Sequence, residues 1–136
     1  MLKKWLTCAL CACLIVGFST FSIKPLFYHY ANEFEIYTGT SSERIYHVKE
    51  NEFCFVFDAR GEACLIDKDD FSLDVFLKEF SAKIIKTEQT DNGVSYYAVA
   101  PKMRYSVWLF NQTVNLHVFV GESTVKVASP IIYGSF

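Results

Sequence analysis

The chain has 136 residues, with 13 Lys and Arg against 15 Asp and Glu, a formal net charge of −2. This length suits one domain, and the slight acidity gives no basic surface for nucleic acid. With 13 Phe, 8 Tyr and only 3 Pro, the composition excludes a disordered chain and favours β-strands around one core.

The N-terminal segment, residues 1–22, is typical of a signal peptide or a membrane anchor. Lys3 and Lys4 precede an uncharged apolar run from Trp5 to Phe21. The positive-inside rule keeps the lysines cytoplasmic and exports the rest of the chain. As a helix this run would be about 25 Å long, just short of a bilayer core, and small residues near its end suit a signal peptidase. Cleavage and retention both stay open, so we expect a secreted or a membrane-anchored protein.

Residues 23–32 form a predicted linker, because Lys24-Pro25 breaks a continuing helix. Residues 33–136 form the predicted extracytoplasmic domain. Export would place Cys54 and Cys64 where disulfides form. A hairpin loop ending at Gly61 would make these cysteines diagonal neighbours, too far apart for a relaxed bridge. We therefore expect two buried thiols, whereas a different loop length would permit the bridge.

The first half of this domain shows strand patterns. Glu33 to Thr38 alternates polar and apolar residues and predicts a half-buried strand, with Arg44 to Val48 as its partner. Phe53 to Phe57 is apolar on both faces, which favours a central strand, and Glu62 to Ile66 would pair with it. These strands need an apolar cover on at least one face.

One helix is predicted to provide that cover. Ser72 is the expected N-cap, and Phe71 before it can pack against a residue of the first turns. The apolar residues that follow recur at i, i+3, i+4 and i+7 of one helix face. They are Leu73, Phe76, Leu77 and Phe80.

Four or more strands are predicted after the helix. Ile84 to Thr90 and Val94 to Ala100 flank Asp91-Asn92-Gly93, and Asn-Gly is a strong hairpin signal. With Asn92 and Gly93 as the loop, Thr87 would face Ala98, and Lys86, Glu88 and Tyr97 would share the wetter sheet face. The remaining strands are predicted at Tyr105 to Phe110, Val114 to Val120 and Val125 to Ser129, with Pro130 ending the last one and the tail packing back.

Together these elements predict an α+β fold, an antiparallel sheet of about five to seven strands with one packing helix in a βαββββ layout. Three stretches carry a family resemblance: Phe76-Leu-Lys-Glu-Phe80, Val114-Asn-Leu-His-Val118 and Val125-Lys-Val-Ala-Ser-Pro-Ile-Ile132. Over roughly the last sixty residues the chain resembles the YwmB family of exported bacterial proteins. The resemblance implies a fold similar to the TATA-box-binding protein and carries no catalytic residues to transfer.

No pattern of catalytic, cofactor-binding or metal-binding residues stands out, so we expect none of these sites. His29, His47 and His117 lie at no metal-ligand spacing. His117 shares the predicted polar strand face with Asn115, which favours a surface histidine. Cys64 is expected mid-strand among apolar neighbours, where burial raises the pKa of a thiol.

The function favoured by the sequence is a non-catalytic module that binds a protein or an envelope component. Four aromatic residues are the candidates for its partner-facing sheet surface: Tyr97, Tyr105, Trp108 and Phe119. The alternative is a small thiol-dependent or hydrolytic enzyme, which needs a pocket that joins Cys54 or Cys64 to a histidine or carboxylate. Nucleic-acid binding is disfavoured by export and by the acidic charge.

Overall fold

The computed structural model describes residues 1–21, 25–38, 45–49 and 59–133. This part of the chain contains two α-helices, α1 (Leu2–Phe21) and α2 (Leu73–Glu79), and a 3-10 helix at Lys68–Asp70. Its strands are β1 (Glu33–Thr38), β2 (Ile45–Lys49), β3 (Ala59–Asp67), β4 (Lys83–Thr90), β5 (Gly93–Val99), β6 (Val107–Leu109), β7 (Gln112–Val114), β8 (Leu116–Val120) and β9 (Thr124–Ser129).

Seven strands form one antiparallel sheet in the order β2-β1-β3-β9-β8-β5-β4. Strands β6 and β7 make a separate two-stranded hairpin. The predicted α+β class and antiparallel sheet are confirmed. The predicted strand at 53–57 and Cys54 lie outside the described residues. The hairpin predicted to join that strand to Glu62–Ile66 is wrong at its turn, because Ala59 to Gly61 belong to β3 and Glu62 and Ala63 pair with β1 on one side and β9 on the other.

Helix α2 covers one face of the sheet, which we call the helix face. Its Phe76 is fully buried, and the rings of Phe71, Phe27 and Phe80 lie 5.3, 6.0 and 4.8 Å from it. Burying a phenylalanine contributes about 1.5–3 kcal/mol, so this cluster supplies much of the core energy. Ser72 occupies the predicted N-cap position but makes no side-chain capping bond.

The segment that precedes β1 is held on the helix face by Glu62. Phe27 is fully buried there, and Glu62 Oε1 accepts the N–H groups of Leu26 at 2.5 Å and Phe27 at 3.3 Å. Part of the predicted linker, residues 25–32, therefore packs as core of the domain.

The opposite face of the sheet, the outer face, is covered at its centre by the C-terminal tail. Ile132 is 8 % exposed, and it packs with Tyr37, Ala63 and Ala128. The ring of Tyr133 meets that of Tyr37 edge-on at 5.0 Å. The tail therefore packs back as far as residue 133, as predicted.

Two glycines were predicted as turn residues but lie in strands. Gly61 is inside β3, where a Cβ would lie 2.9 Å from the carbonyl oxygen of Ser129. The β4–β5 loop is Asp91-Asn92, so Thr87 pairs with Tyr96 rather than with Ala98. A Cβ on Gly93 would lie 2.2 Å from the Val120 oxygen. At Gly61 close backbone approach, and not turn geometry, requires glycine, whereas at Gly93 close approach and a φ of +158° both do.

Helix α1 spans Leu2–Phe21, which confirms a helix in the predicted N-terminal segment. Within the described parts of the chain, no helix meets the length and apolarity needed to cross a membrane.

Candidate binding cleft

A cleft opens where β1 and β3 separate. The recorded pairing of these strands runs from Thr38 with Ala59 to Glu35 with Ala63, and among the described residues no pairing continues beyond it. The space beyond the last pair has a volume of about 570 Å³. Its lining comprises Ala31, Asn32, Glu33, Phe34, Glu35, His47, Cys64 and Leu65.

Strand geometry directs main-chain groups into this cleft. Lys68 N–H bonds the Ser123 carbonyl on the β9 side, and alternate residues of a strand turn their N–H and C=O to opposite sides. Cys64 and Ile66 therefore bond β9, whereas Ala63 and Leu65 face β1. Ala63 pairs with Glu35 of β1, whereas Leu65 lies two residues beyond this last β1–β3 pair. Its main-chain donor and acceptor point into the cleft.

Acidic side chains border the cleft on the outer face. Glu35 pairs with Lys126 Nζ at 2.8 Å and accepts the Tyr37 hydroxyl at 2.9 Å. Burial raises the pKa of Glu35, but these bonds outweigh it, so the pKa falls below its ordinary value. Lys126 thus neutralises Glu35, whereas Glu33 is exposed at the mouth, where it lies opposite Lys49 of β2.

A thiol, an imidazole and a carboxylate line the cleft, but the Cys64 side chain belongs to the helix face and those of His47 and Glu35 to the outer face. Cys64 is a buried free thiol, as predicted, and it lines the cleft with the exposed His47 and with Glu35. Burial, followed by the nearby charge of Glu62, raises the pKa of the Cys64 thiol to about 12. At neutral pH this cysteine is therefore protonated and a poor nucleophile.

The four aromatic candidates lie on different elements of the structure. Tyr97 and Phe119 both belong to the outer face, where Tyr97 stacks on His117 at 4.4 Å. Trp108 is 70 % exposed on the separate β6–β7 hairpin. Tyr105 lies close enough to Glu62 for that carboxyl to raise its pKa, after the larger effect of burial.

His117 is buried, so the prediction of a surface histidine is wrong. It does lie on the outer face, but only 1 % of it is exposed because the tail covers it. Its Nδ1 accepts the Ile132 N–H at 3.2 Å, which places the ring proton on Nε2, 3.2 Å from Ser95 Oγ. Burial lowers the pKa of His117 to about 4, so the ring is neutral and structural.

The cleft could not be identified from the sequence, because it depends on a pairing between β1 and β3 that stops early. Within the described ranges no cluster of His, Cys, Asp and Glu could hold a metal ion. Comparison of the chain with family models, curated proteins and solved structures gives no match. The resemblance to the YwmB family stays a prediction.

Proposed function

We propose that this protein is a non-catalytic binding module that takes an extended segment of a partner protein in the cleft between β1 and β3. The observation that carries the proposal is the main chain of Leu65, which points into the cleft beyond the last β1–β3 pair. An extended peptide can bond such a position as a short added strand.

The chemistry of the lining favours a basic and apolar segment. Leu65 is 57 % exposed beside the cleft, which offers contact area to an apolar side chain. Glu33 at the mouth would attract a lysine or arginine of the partner, in competition with Lys49 opposite it, because Lys126 already neutralises Glu35. Alternation of side chains along a strand lets one peptide satisfy both groups.

Synthetic strand-length peptides test this proposal. We expect a fluorescent peptide of alternating Val and Lys to bind the full chain in detergent, and a Val and Glu peptide to bind at least about tenfold more weakly. The Glu33→Lys variant should reverse this preference. The Asp91→Lys variant, with the same charge change in the β4–β5 turn, should preserve it. Equal binding of both peptides, or no binding, would contradict the proposal.

A thiol-dependent enzyme is the second candidate, because Cys64, His47 and Glu35 all line the cleft, although the Cys64 side chain lies on the sheet face opposite the other two. The raised thiol pKa opposes it. Iodoacetamide labelling at neutral pH, read at Cys64 by peptide mapping because Cys8, Cys11 and Cys13 are exposed, separates the two functions: Cys64 should react only after denaturation in a binding module, whereas rapid labelling of Cys64 in the native chain would favour the enzyme.

We also propose that residues 1–22 export the domain, either as a cleaved signal or as a retained tether. This proposal is supported by the two positive charges of Lys3 and Lys4 and by the apolar run from Trp5 to Phe21 that follows them. Cell fractionation with N-terminal sequencing tests it. We expect the protein outside the cytoplasm, starting either at Met1 or near residue 22, and a purely cytoplasmic chain would refute export.

A further inference from the structure

Strand β4 is the last strand of the sheet, and its outer edge carries no strand among the described residues. The main-chain groups at this edge can be assigned from the neighbouring strands. Ala98 C=O accepts the Asn115 N–H on the β8 side of β5, so Ser95 and Tyr97 turn toward β4. Their partners are Glu88 and Lys86. Thr87 lies between these two, and its N–H and C=O therefore point outward.

The charges of this segment are arranged antisymmetrically about Thr87. Lys86 precedes it and Glu88 follows it, and both belong to the outer face. Lys83 and Asp91 stand at equal distances of four residues on either side. The positive charges are thus all on the N-terminal side of Thr87 and the negative charges on the C-terminal side.

Such a segment is complementary to itself when two copies run antiparallel. A two-fold axis through Thr87 would let the outward main-chain groups of each copy bond those of the other. It would place Lys86 of the first copy opposite Glu88 of the second, and Glu88 of the first opposite Lys86 of the second, with all four side chains on the same sheet face. A parallel arrangement would set like charges together.

Two features commonly protect an edge strand, a lysine and a bulge, and β4 has both. The bulge lies between Ile84 and Lys86, so pairing centred on Thr87 extends only from Lys86 to Glu88, and Lys83 and Asp91 add complementary charge outside the paired residues. A lysine on an edge strand disfavours pairing with most other strands, but in self-pairing Lys86 lies opposite Glu88 of the second copy. Lys86 Nζ lies 3.1 Å from Glu88 of its own chain, with both side chains about two-fifths exposed, so both remain accessible to a second copy.

We propose that the protein forms a homodimer by antiparallel pairing of β4 with β4 of a second copy, centred on Thr87, which joins the two sheets into one. Nearby apolar exposure is consistent with a buried edge: Ile84 is 37 % and Phe110 38 % exposed, and Phe110 packs on Tyr97 and under Lys86. This interface lies at the opposite end of the sheet from the cleft, so each proposal can fail alone.

Charge exchange tests the dimer. Two differently tagged full-length copies are mixed in detergent, and copurification is measured. Wild-type copies should copurify. Lys86→Glu copies alone, and Glu88→Lys copies alone, face like charges and should bind about tenfold more weakly.

A mixture of one Lys86→Glu copy with one Glu88→Lys copy should recover the wild-type level, because every opposed pair is again unlike. This recovery also demonstrates that both variants fold. The proposal is refuted if wild-type copies do not copurify, if the single variants copurify as well as wild type, or if the mixed variants fail to recover. If the copies associated through α1 instead of β4, the single variants would copurify as well as wild type.

Discussion

Glu62 should make the stability of this domain depend on pH in an unusual direction. Its carboxyl is fully buried, Oε1 accepts two main-chain N–H groups, and Oε2 has no hydrogen-bond partner among the described residues. Burial raises the pKa of Glu62 to about 7 from 4.5, although the N–H groups of Phe27 and Leu26 favour the charged form. The fold therefore favours the protonated acid.

The sign of the effect follows from proton binding. A raised carboxyl pKa means that the folded state holds its proton more tightly than the unfolded chain. The free energy of unfolding should thus fall as pH rises from 4.5 to about 7. At about 1.4 kcal/mol for each pKa unit, the loss is about 3 kcal/mol.

The Glu62→Gln variant isolates this contribution. Its amide oxygen can still accept the N–H groups of Leu26 and Phe27, but it does not titrate. Urea unfolding of both full-length proteins in detergent, followed by near-UV circular dichroism between about pH 4 and pH 8, gives the two stability curves. Wild type should lose about 3 kcal/mol relative to the variant as pH rises. Parallel curves over this range would refute the raised pKa and the burial that causes it.

Three further changes should give distinct results. The His117→Gln variant should gain about 3 kcal/mol relative to wild type as pH falls from 6.5 to about 4, because the wild-type fold disfavours the charged ring; a pH-independent difference between the two proteins in urea unfolding would contradict this. Phe76→Ala should lower stability by about 3–5 kcal/mol, whereas the control Val75→Ala, at a side chain 62 % exposed on the same helix, should change it by less than about 0.5 kcal/mol. Gly61→Ala should lower the melting temperature and speed amide exchange in β3 and β9, because its Cβ would press on the Ser129 oxygen; unchanged exchange would disprove the close approach.

The elements predicted correctly are those that depend on residues close together in the sequence. Helix α2 follows from apolar residues at helical spacing and from the Phe71 contact, and β1 and β9 follow from alternation. The β4–β5 hairpin was predicted with Lys86, Glu88 and Tyr97 on one face. That grouping is confirmed. The observed register differs from the predicted one by two residues, and because side chains alternate between the sheet faces with a period of two, this shift leaves each residue on its predicted face.

The errors arose where distant segments decide the environment. Gly61 resembles a turn residue until the Ser129 carbonyl and Pro130 are placed against it. His117 looks like a surface residue until the tail, fifteen positions later, bonds it through Ile132. The cleft itself depends on how far β1 and β3 remain paired, and no short stretch of sequence encodes that length.

The burial of Phe27 in the core limits the distance between the domain and the end of helix α1. Phe27 is only the sixth residue after Phe21, the last residue of α1. A chain extends at most about 3.6 Å per residue, so the six steps between them span at most about 22 Å. The C-terminal end of α1 therefore stays within that distance of the α2 core. The cleft begins at Ala31, only four residues farther on, so a ligand in the cleft also lies close to that end of the helix.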